Sequence, residues 1–363
     1  MVNSSRNTAL TNLAALMEPQ LFKQLQMEAE NYKKLSIVFM GTPEFAVVSL
    51  DTLVKAGCNI VGVITAPDKP AGRGMILQQS PVKKYAVENN LRILQPEKLK
   101  NPAFLDELQS LNADLQIVVA FRMLPELVWK MPPMGSVNLH GSLLPQYRGA
   151  APINWAVING EKETGCTTFK LTHEIDTGDI LLQESFAIGE NETAGEVHDH
   201  MKEIGARLLL KTVEGLANNS LKEVPQPLKA NGEWSINQPK NIEHPAPFPS
   251  HHLLKHAPKI FTETCQIDWH KTTNEVFNLI RGLSPYPTAF TFLDGKKLKI
   301  FSAQKEPGKA NDIAGVSPGT FNTDKKSYLK FACKDGLISV KELQLEGKKQ
   351  LKVEDFLRGY RWV

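Results

Sequence analysis

LSIVFMGTPEF, residues 35–45, decides the architecture of the first half of this chain. Ser36–Met40 is a short apolar run that stops at Gly41, the pattern of a strand buried on both faces. Thr42-Pro43-Glu44 then opens a helix. Thr42 offers a capping hydroxyl, Pro43 suits the first helical position, and Glu44 complements the positive end of the helix dipole. The helix ends near Gly57, and NIVGVIT (Asn59–Thr65) is the next strand. A helix around Val82–Asn90, a short strand at Arg92–Leu94, a helix near Phe104–Leu111 and an apolar strand at Leu115–Ala120 follow. Repeated strand–helix units predict a parallel sheet covered on both faces, a Rossmann-like doubly wound α/β core over residues 35–220. A nicotinamide cofactor is not expected, because GTPEF lacks the G-x-G-x-x-G that lets backbone approach a pyrophosphate.

Upstream, Leu10, Leu13, Met17, Leu21 and Leu25 recur at helical spacing, so residues 1–34 read as an N-terminal helical extension. Glu18, Glu28 and Glu30 speak against a transit peptide, and the stretch lacks the apolar core and cleavage site of a secretory signal. Downstream, residues 221–257 are rich in Pro, Asn and His and read as a linker. Beyond it, residues 258–363 begin with a helix at Glu275–Gly282. Short strand-like runs then follow at Ala289–Leu293, Leu298–Phe301, Ser327–Ala332 and Leu337–Leu343, with Asp294-Gly295 as a turn. That pattern predicts a small OB-like β-barrel. Two domains suit 363 residues.

Bulk composition narrows the function classes. No apolar run approaches the roughly 20 residues needed to span a bilayer, so no membrane partner is expected. Cys58, Cys166, Cys265 and Cys333 are far apart and offer neither a disulfide framework nor a zinc site, which suits a cytoplasmic protein without a metal. Past Pro258, 18 Lys and Arg face 12 Asp and Glu, in a chain whose net charge is +3. The rest of the chain is therefore negative on balance, and a basic second domain fits a polyanionic partner as well as it fits an ordinary solvated surface.

VNLHGSLLPQYRGAAPINWA, residues 137–156, is the stretch densest in chemistry. An apolar strand delivers Asn138 and His140 two residues apart, so both project from one face at the strand's carboxyl end, where open α/β sheets bind ligands. The strand Thr167–Leu171 then leads into HEIDTGDI (His173–Ile180), whose Asp176 lies in a tight turn. Taken singly, such an Asn or Asp is most often a turn residue, and a lone His is usually a surface or satisfied core group. His173, Glu174 and Asp179 keep that plain reading.

The set NLH, SLLPQYRG and DTGDI resembles the folate-dependent formyltransferases, and within them the branch that formylates methionyl-initiator tRNA. The similarity covers most of residues 35–215 and continues through Ile267–Trp269 (IDW) and Arg281–Phe290 (RGLSPYPTAF). The resemblance implies transfer of a formyl group from 10-formyltetrahydrofolate to an amine, with no covalent enzyme intermediate. It implies that the Asn138 amide donates to the developing oxyanion, that His140 stabilises the same charge or handles a proton, and that Asp176 holds the imidazole tautomer and shuttles the amine's proton. Ser142, Leu143, Leu144 and Pro145 would line the folate site. The loop Thr65–Lys84, with Lys69, Arg73, Lys83 and Lys84, would reach the acceptor stem of the tRNA. Lys296, Lys297 and Lys299 around the second domain's hairpin would track its phosphates.

Two features depart from the family pattern. Ala120–Pro125, with Arg122, stands where a glycine-containing part of the folate pocket is expected, and the linker is long at Asn231–Ser250. Two other readings compete: a formyltransferase for a small amine, such as an amino-sugar nucleotide or glycinamide ribonucleotide, and a non-catalytic RNA-binding protein on the same fold. The intact Asn138, His140 and Asp176 favour an enzyme, expected to act as a monomer. All three precede residue 220, which predicts that the chemistry survives loss of the second domain.

Overall fold

In the computed structural model, residues 30–71, 76–226, 254–307 and 316–362 are described. The expected helix within residues 1–29, Arg73 and the middle of the linker lie outside them.

From the N-terminal side the order is β1 (Ser36–Gly41), α1 (Glu44–Lys55), β2 (Asn59–Ile64), the hairpin of β3 (Lys69–Ala71) and β4 (Ile76–Gln78), α2 (Pro81–Glu88), β5 (Ile93–Leu94), α3 (Pro102–Ser110), β6 (Leu115–Val119), α4 (Glu126–Trp129) and β7 (Ser136–His140). There follow β8 (Arg148–Gly149), α5 (Pro152–Ile158), β9 (Glu163–Lys170), β10 (Ile180–Ala187) and α6 (Ala194–Ala217). Seven of the strands form one sheet in the order β10-β9-β7-β6-β1-β2-β5. The five from β7 to β5 are parallel, as the alternating pattern predicts. β9 and β10 extend the sheet antiparallel, so the core is mixed rather than purely doubly wound.

Alternate residues of β1 explain why the strand sits at the centre. Ile37 and Phe39 enter the core shared with Leu50 and Leu53 of α1 and Met201 and Leu208 of α6. Val38 and Met40 face the opposite core with Phe104 and Leu108 of α3. Such a strand has no solvent face, which is why its sequence shows no polar alternation. The helix after it starts one residue later than the sequence suggests: Pro43 is the N-cap of α1, and no side chain caps the helix. A Cβ on Gly41 would lie 2.6 Å from the Cβ of Ala46, so the glycine serves packing and not phosphate approach.

After the linker come β11 (His256–Ala257), α7 (Thr273–Gly282), β12 (Ala289–Leu293), β13 (Lys296–Pro307), β14 (Phe321–Thr323), β15 (Leu329–Ala332), β16 (Gly336–Leu345), β17 (Leu351–Lys352) and α8 (Val353–Gly359). The sheet β12-β13-β16-β15-β14, with β17 beside β16, is antiparallel and curls as a half-barrel. Asp294 and Gly295 both have positive φ, the two-residue turn that the right-handed twist of a hairpin requires. Its core stacks Trp269 on Phe331 with ring centres 4.6 Å apart.

The two halves are fastened by buried polar contacts. Arg281, at the end of α7, is 5% exposed and donates to the Glu192 carbonyl at 2.9 Å. Asn154 of α5 donates to the Gly282 carbonyl at 2.8 Å, and the Gly195 N–H to the Ser284 carbonyl at 3.0 Å.

Candidate active site

β7 is bound on both sides, by β6 in parallel and β9 in antiparallel register, which fixes the two polar side chains at its carboxyl end. The Asn138 carboxamide is half-buried and makes no hydrogen bond among the described residues, so its N–H groups remain available to a ligand. His140 is buried, with the Phe169 ring edge-on at 6.5 Å. Its Nε2 lies 2.9 Å from the carbonyl oxygen of Tyr147. A carbonyl can only accept, so Nε2 carries the hydrogen and Nδ1 carries the lone pair of the neutral ring.

Nδ1 faces Asp176, with Oδ2 at 3.8 Å. The Tyr147 carbonyl lies within hydrogen-bond length of the ring, while the Asp176 carboxylate stands beyond it. Asp176 is anchored separately: the Gly149 N–H donates to its Oδ2 at 2.9 Å, and its backbone takes a positive φ of 55°.

The segment between these groups is supported from outside the expected motifs. Arg148 donates through Nε and Nη2 to the side-chain oxygen of Gln226. Burial lowers the pKa of this guanidinium, while the nearby Asp176 and Glu174 carboxylates oppose the shift. Tyr147, also at positive φ, sends its hydroxyl to Glu161, which Lys255 pairs. Gln226 and Lys255 both fall in the segment read as linker, where nothing but the lone amide within a proline run could have marked Gln226.

The SLLP loop is placed differently from a simple pocket wall. Ser142, Leu144 and Pro145 are buried; Ser142 Oγ donates to the Gln146 carbonyl, and Leu144 is held by Thr167 and Gln183. Leu143 alone of the four is half-exposed. Arg122 donates to the carbonyls of Pro96 and Glu97 and covers the Phe121 ring at 5.6 Å, so it is engaged by the protein. Among the basic residues, Lys69 is exposed on β3. Lys83 is not free for phosphate, because it pairs with Asp68 at 2.6 Å. That hydrogen bond, reinforced by Gln95, holds the Asp68 carboxyl below the usual carboxylate range. Lys296 is exposed, and Lys297 and Lys299 share the outward face of β13, with Lys297 over the Phe290 ring at 4.3 Å. Among the described residues there is no cluster that could hold a metal ion, and no helix long and apolar enough to cross a membrane.

Residues 33–213 match the family model for formyl transferase, and residues 259–361 that for the formyl transferase C-terminal domain. Methionyl-tRNA formyltransferase of Parabacteroides distasonis is 51% identical over 91% of this chain and 97% of its own length. That of Phocaeicola vulgatus is 55% identical over the same shares of the two chains. In fold, the chain is similar to a sugar 3N-formyl transferase crystallised with dTDP and 5-N-formyl-THF, at a TM-score of 0.58, 22% identity and coverage of 87% of this chain and 99% of that one. It is similar also to an N-formyltransferase from Helicobacter canadensis in complex with folinic acid and dTDP-3-aminofucose, at a TM-score of 0.59, 20% identity, and coverage of 87% and 100%. Identity near one half across nearly the full length of both chains, in both domains, places the chain in the methionyl-tRNA formyltransferase family.

Proposed function

We propose that this chain transfers the formyl group of 10-formyltetrahydrofolate to the α-amine of methionyl-initiator tRNA, in support of translation initiation. The observation that carries the reading is the free Asn138 carboxamide beside the His140–Asp176 pair, with Nδ1 and Oδ2 3.8 Å apart. As the amine attacks the formyl carbon, the C–N bond forms and the formyl oxygen becomes negative. Asn138 donates a hydrogen bond to that oxygen, a fixed donor in a partly water-excluded site. His140 Nδ1 takes the proton that the amine sheds, directly or through one water, and Asp176 stabilises the resulting imidazolium. Collapse then breaks the bond from the formyl carbon to N10, and that nitrogen leaves with a proton returned from the imidazolium.

In this reading residues 35–220 are the catalytic domain, 221–257 the connection and 258–363 the tRNA-binding domain. Leu143 is the side chain of the SLLP loop that faces folate, while Ser142, Leu144 and Pro145 hold the loop rigid behind it. Lys69, Arg73, Lys296, Lys297 and Lys299 supply phosphate contacts, which position the RNA without reading its sequence. Every group named belongs to one chain, so the reaction requires no second copy. Four free, buried thiols suit a cytoplasmic setting.

The test is formyl transfer to charged initiator tRNA compared with free methionine, an amino-sugar nucleotide and glycinamide ribonucleotide. The tRNA is expected to be the preferred acceptor by kcat/KM. Asn138→Ala, His140→Ala and Asp176→Ala should each lower kcat by at least about a hundredfold with the fold retained. Near-normal turnover in His140→Ala or Asp176→Ala would show the roles to be misassigned.

A further inference from the structure

The two described ends of the interdomain segment close on the same short strand, β8, and on the loop that carries Asp176. At the incoming end, Val224 and Ile180 exchange both backbone hydrogen bonds, at 2.8 and 2.9 Å. Two residues on, the Gln226 side chain is 4% exposed and uses its full hydrogen-bonding capacity. Its Nε2 donates to the Asp176 carbonyl at 3.0 Å and the Gly178 carbonyl at 2.7 Å. Its Oε1 accepts from Arg148 Nε at 3.1 Å and Nη2 at 2.5 Å.

At the outgoing end, β11 pairs in parallel with β8, His256 opposite Arg148 and Ala257 opposite Gly149. The Tyr147 N–H donates to the Lys255 carbonyl and the Ala150 N–H to the Ala257 carbonyl, both at 2.7 Å. The strand so held touches both members of the pair: the Tyr147 carbonyl accepts from His140, and the Gly149 N–H donates to Asp176.

We propose that the two described ends of the interdomain segment belong to the catalytic apparatus, with Gln226 as a positioning residue for Asp176 and Lys255–Ala257 as the support of the Tyr147 carbonyl that orients His140. The proposal rests on the roles given above to His140 and Asp176. Its physical content is distance. Asp176 sits at positive φ in an otherwise exposed turn, and the Gly149 N–H alone would let the carboxylate pivot about one bond. Gln226 ties the backbone of the same residue to Arg148, so Asp176 is held at both its carboxylate and its carbonyl. Displacement of about 1 Å at a reacting group costs roughly a hundredfold in rate.

The experiment is a double-mutant cycle in the full chain, read by steady-state kinetics with 10-formyltetrahydrofolate and charged initiator tRNA. Gln226→Leu removes all four hydrogen bonds at similar volume. Gln226→Glu keeps the acceptor for Arg148 but sets a carboxylate against two carbonyls, and it serves if the leucine variant fails to fold. Either variant is expected to lower kcat about 10- to 100-fold, with KM for tRNA and folate within about twofold of the parent. Combined with Asp176→Asn, the Gln226 substitution should cost no more than about twofold beyond Asp176→Asn alone, because a residue acting through Asp176 has nothing left to position. A folded Gln226 variant with full kcat overturns the proposal, and so does an equal loss in both backgrounds, which places the effect elsewhere. Near-normal turnover of Asp176→Asn itself is a different failure: it removes the assigned role of Asp176 and leaves Gln226 with nothing to position.

Discussion

Gly149→Ala is the sharpest perturbation available, because one methyl group tests whether the paired strands β8 and β11 govern the chemistry. Gly149 has φ +126°, and a Cβ there would lie 2.4 Å from the Ala257 carbonyl oxygen and 2.9 Å from its carbon. Restoring an ordinary contact near 3.4 Å requires the carbonyl to retreat by about 1 Å. That shift breaks or stretches the bonds from Ala150 to Ala257 and from Tyr147 to Lys255, both 2.7 Å long. Each is a net loss of roughly 0.5–1.5 kcal/mol, and the backbone strain adds about 1–3, for a total of about 2–6 kcal/mol. The same shift moves the Gly149 N–H off Asp176 and the Tyr147 carbonyl off His140, so kcat should fall on the order of a hundredfold. Thermal unfolding and turnover with charged initiator tRNA, measured side by side, read both effects. A variant whose Tm has dropped but whose kcat stays within about threefold of the parent refutes the reasoning, since the pairing would then hold the fold and not the site.

Two further outcomes follow from charge and burial. Lys69→Ala, Lys296→Ala and Lys299→Ala should each weaken tRNA binding severalfold at low salt and reduce the log–log salt slope by about 1, with folate binding unchanged; an unaltered slope removes that lysine from the phosphate path. Burial pushes the Cys58 thiol up to about 11 and the Cys166 thiol to about 12, from an ordinary value of 9.0. The folded state therefore keeps protons that the unfolded state loses. The stability these thiols contribute is complete below pH 9, fades as pH rises through about 11 to 12, and shows as a falling Tm that Cys166→Ala should blunt.

What could be read from the sequence follows from the range of the interactions. β1 and β6 are buried on both faces and β2 over its second half, and their apolar runs announce them. β9 is legible as the strand at Thr167–Leu171, but its antiparallel addition to the sheet, with β10 beyond it, leaves no mark on composition. β13 is 12 residues long, not four, because past Phe301 the polar Ser302, Gln304, Lys305 and Glu306 fall on both faces of the strand and interrupt the apolar signal. In the site, Asn138, His140 and Asp176 stand in dense motifs. The Tyr147 carbonyl that holds the imidazole is backbone, which sequence cannot distinguish from any other. Gln226 lies 50 residues from the loop it bonds, in a stretch whose prolines signal a break in periodicity. Lys255–Ala257 reaches back to the first domain just before the half-barrel begins, so a first domain that is to keep its chemistry without the second has to extend through Ala257.

Arg281 sits at the joint between the two halves, and its burial has a consequence for which acceptors can be served. With the guanidinium locked onto the Glu192 carbonyl and Asn154 locked onto Gly282, the half-barrel cannot swing freely on the first domain. If the outward lysines of β13 hold phosphate and the end of β7 holds the amine, as proposed, the two are the jaws of a calliper set to one gap. A molecule engages both only if its anionic backbone and its amine are separated by that gap on a stiff frame. A short amine would fill one jaw and gain nothing from the other, so on the proposed roles selection of the acceptor rests on a rigid length as much as on any contact at the amine.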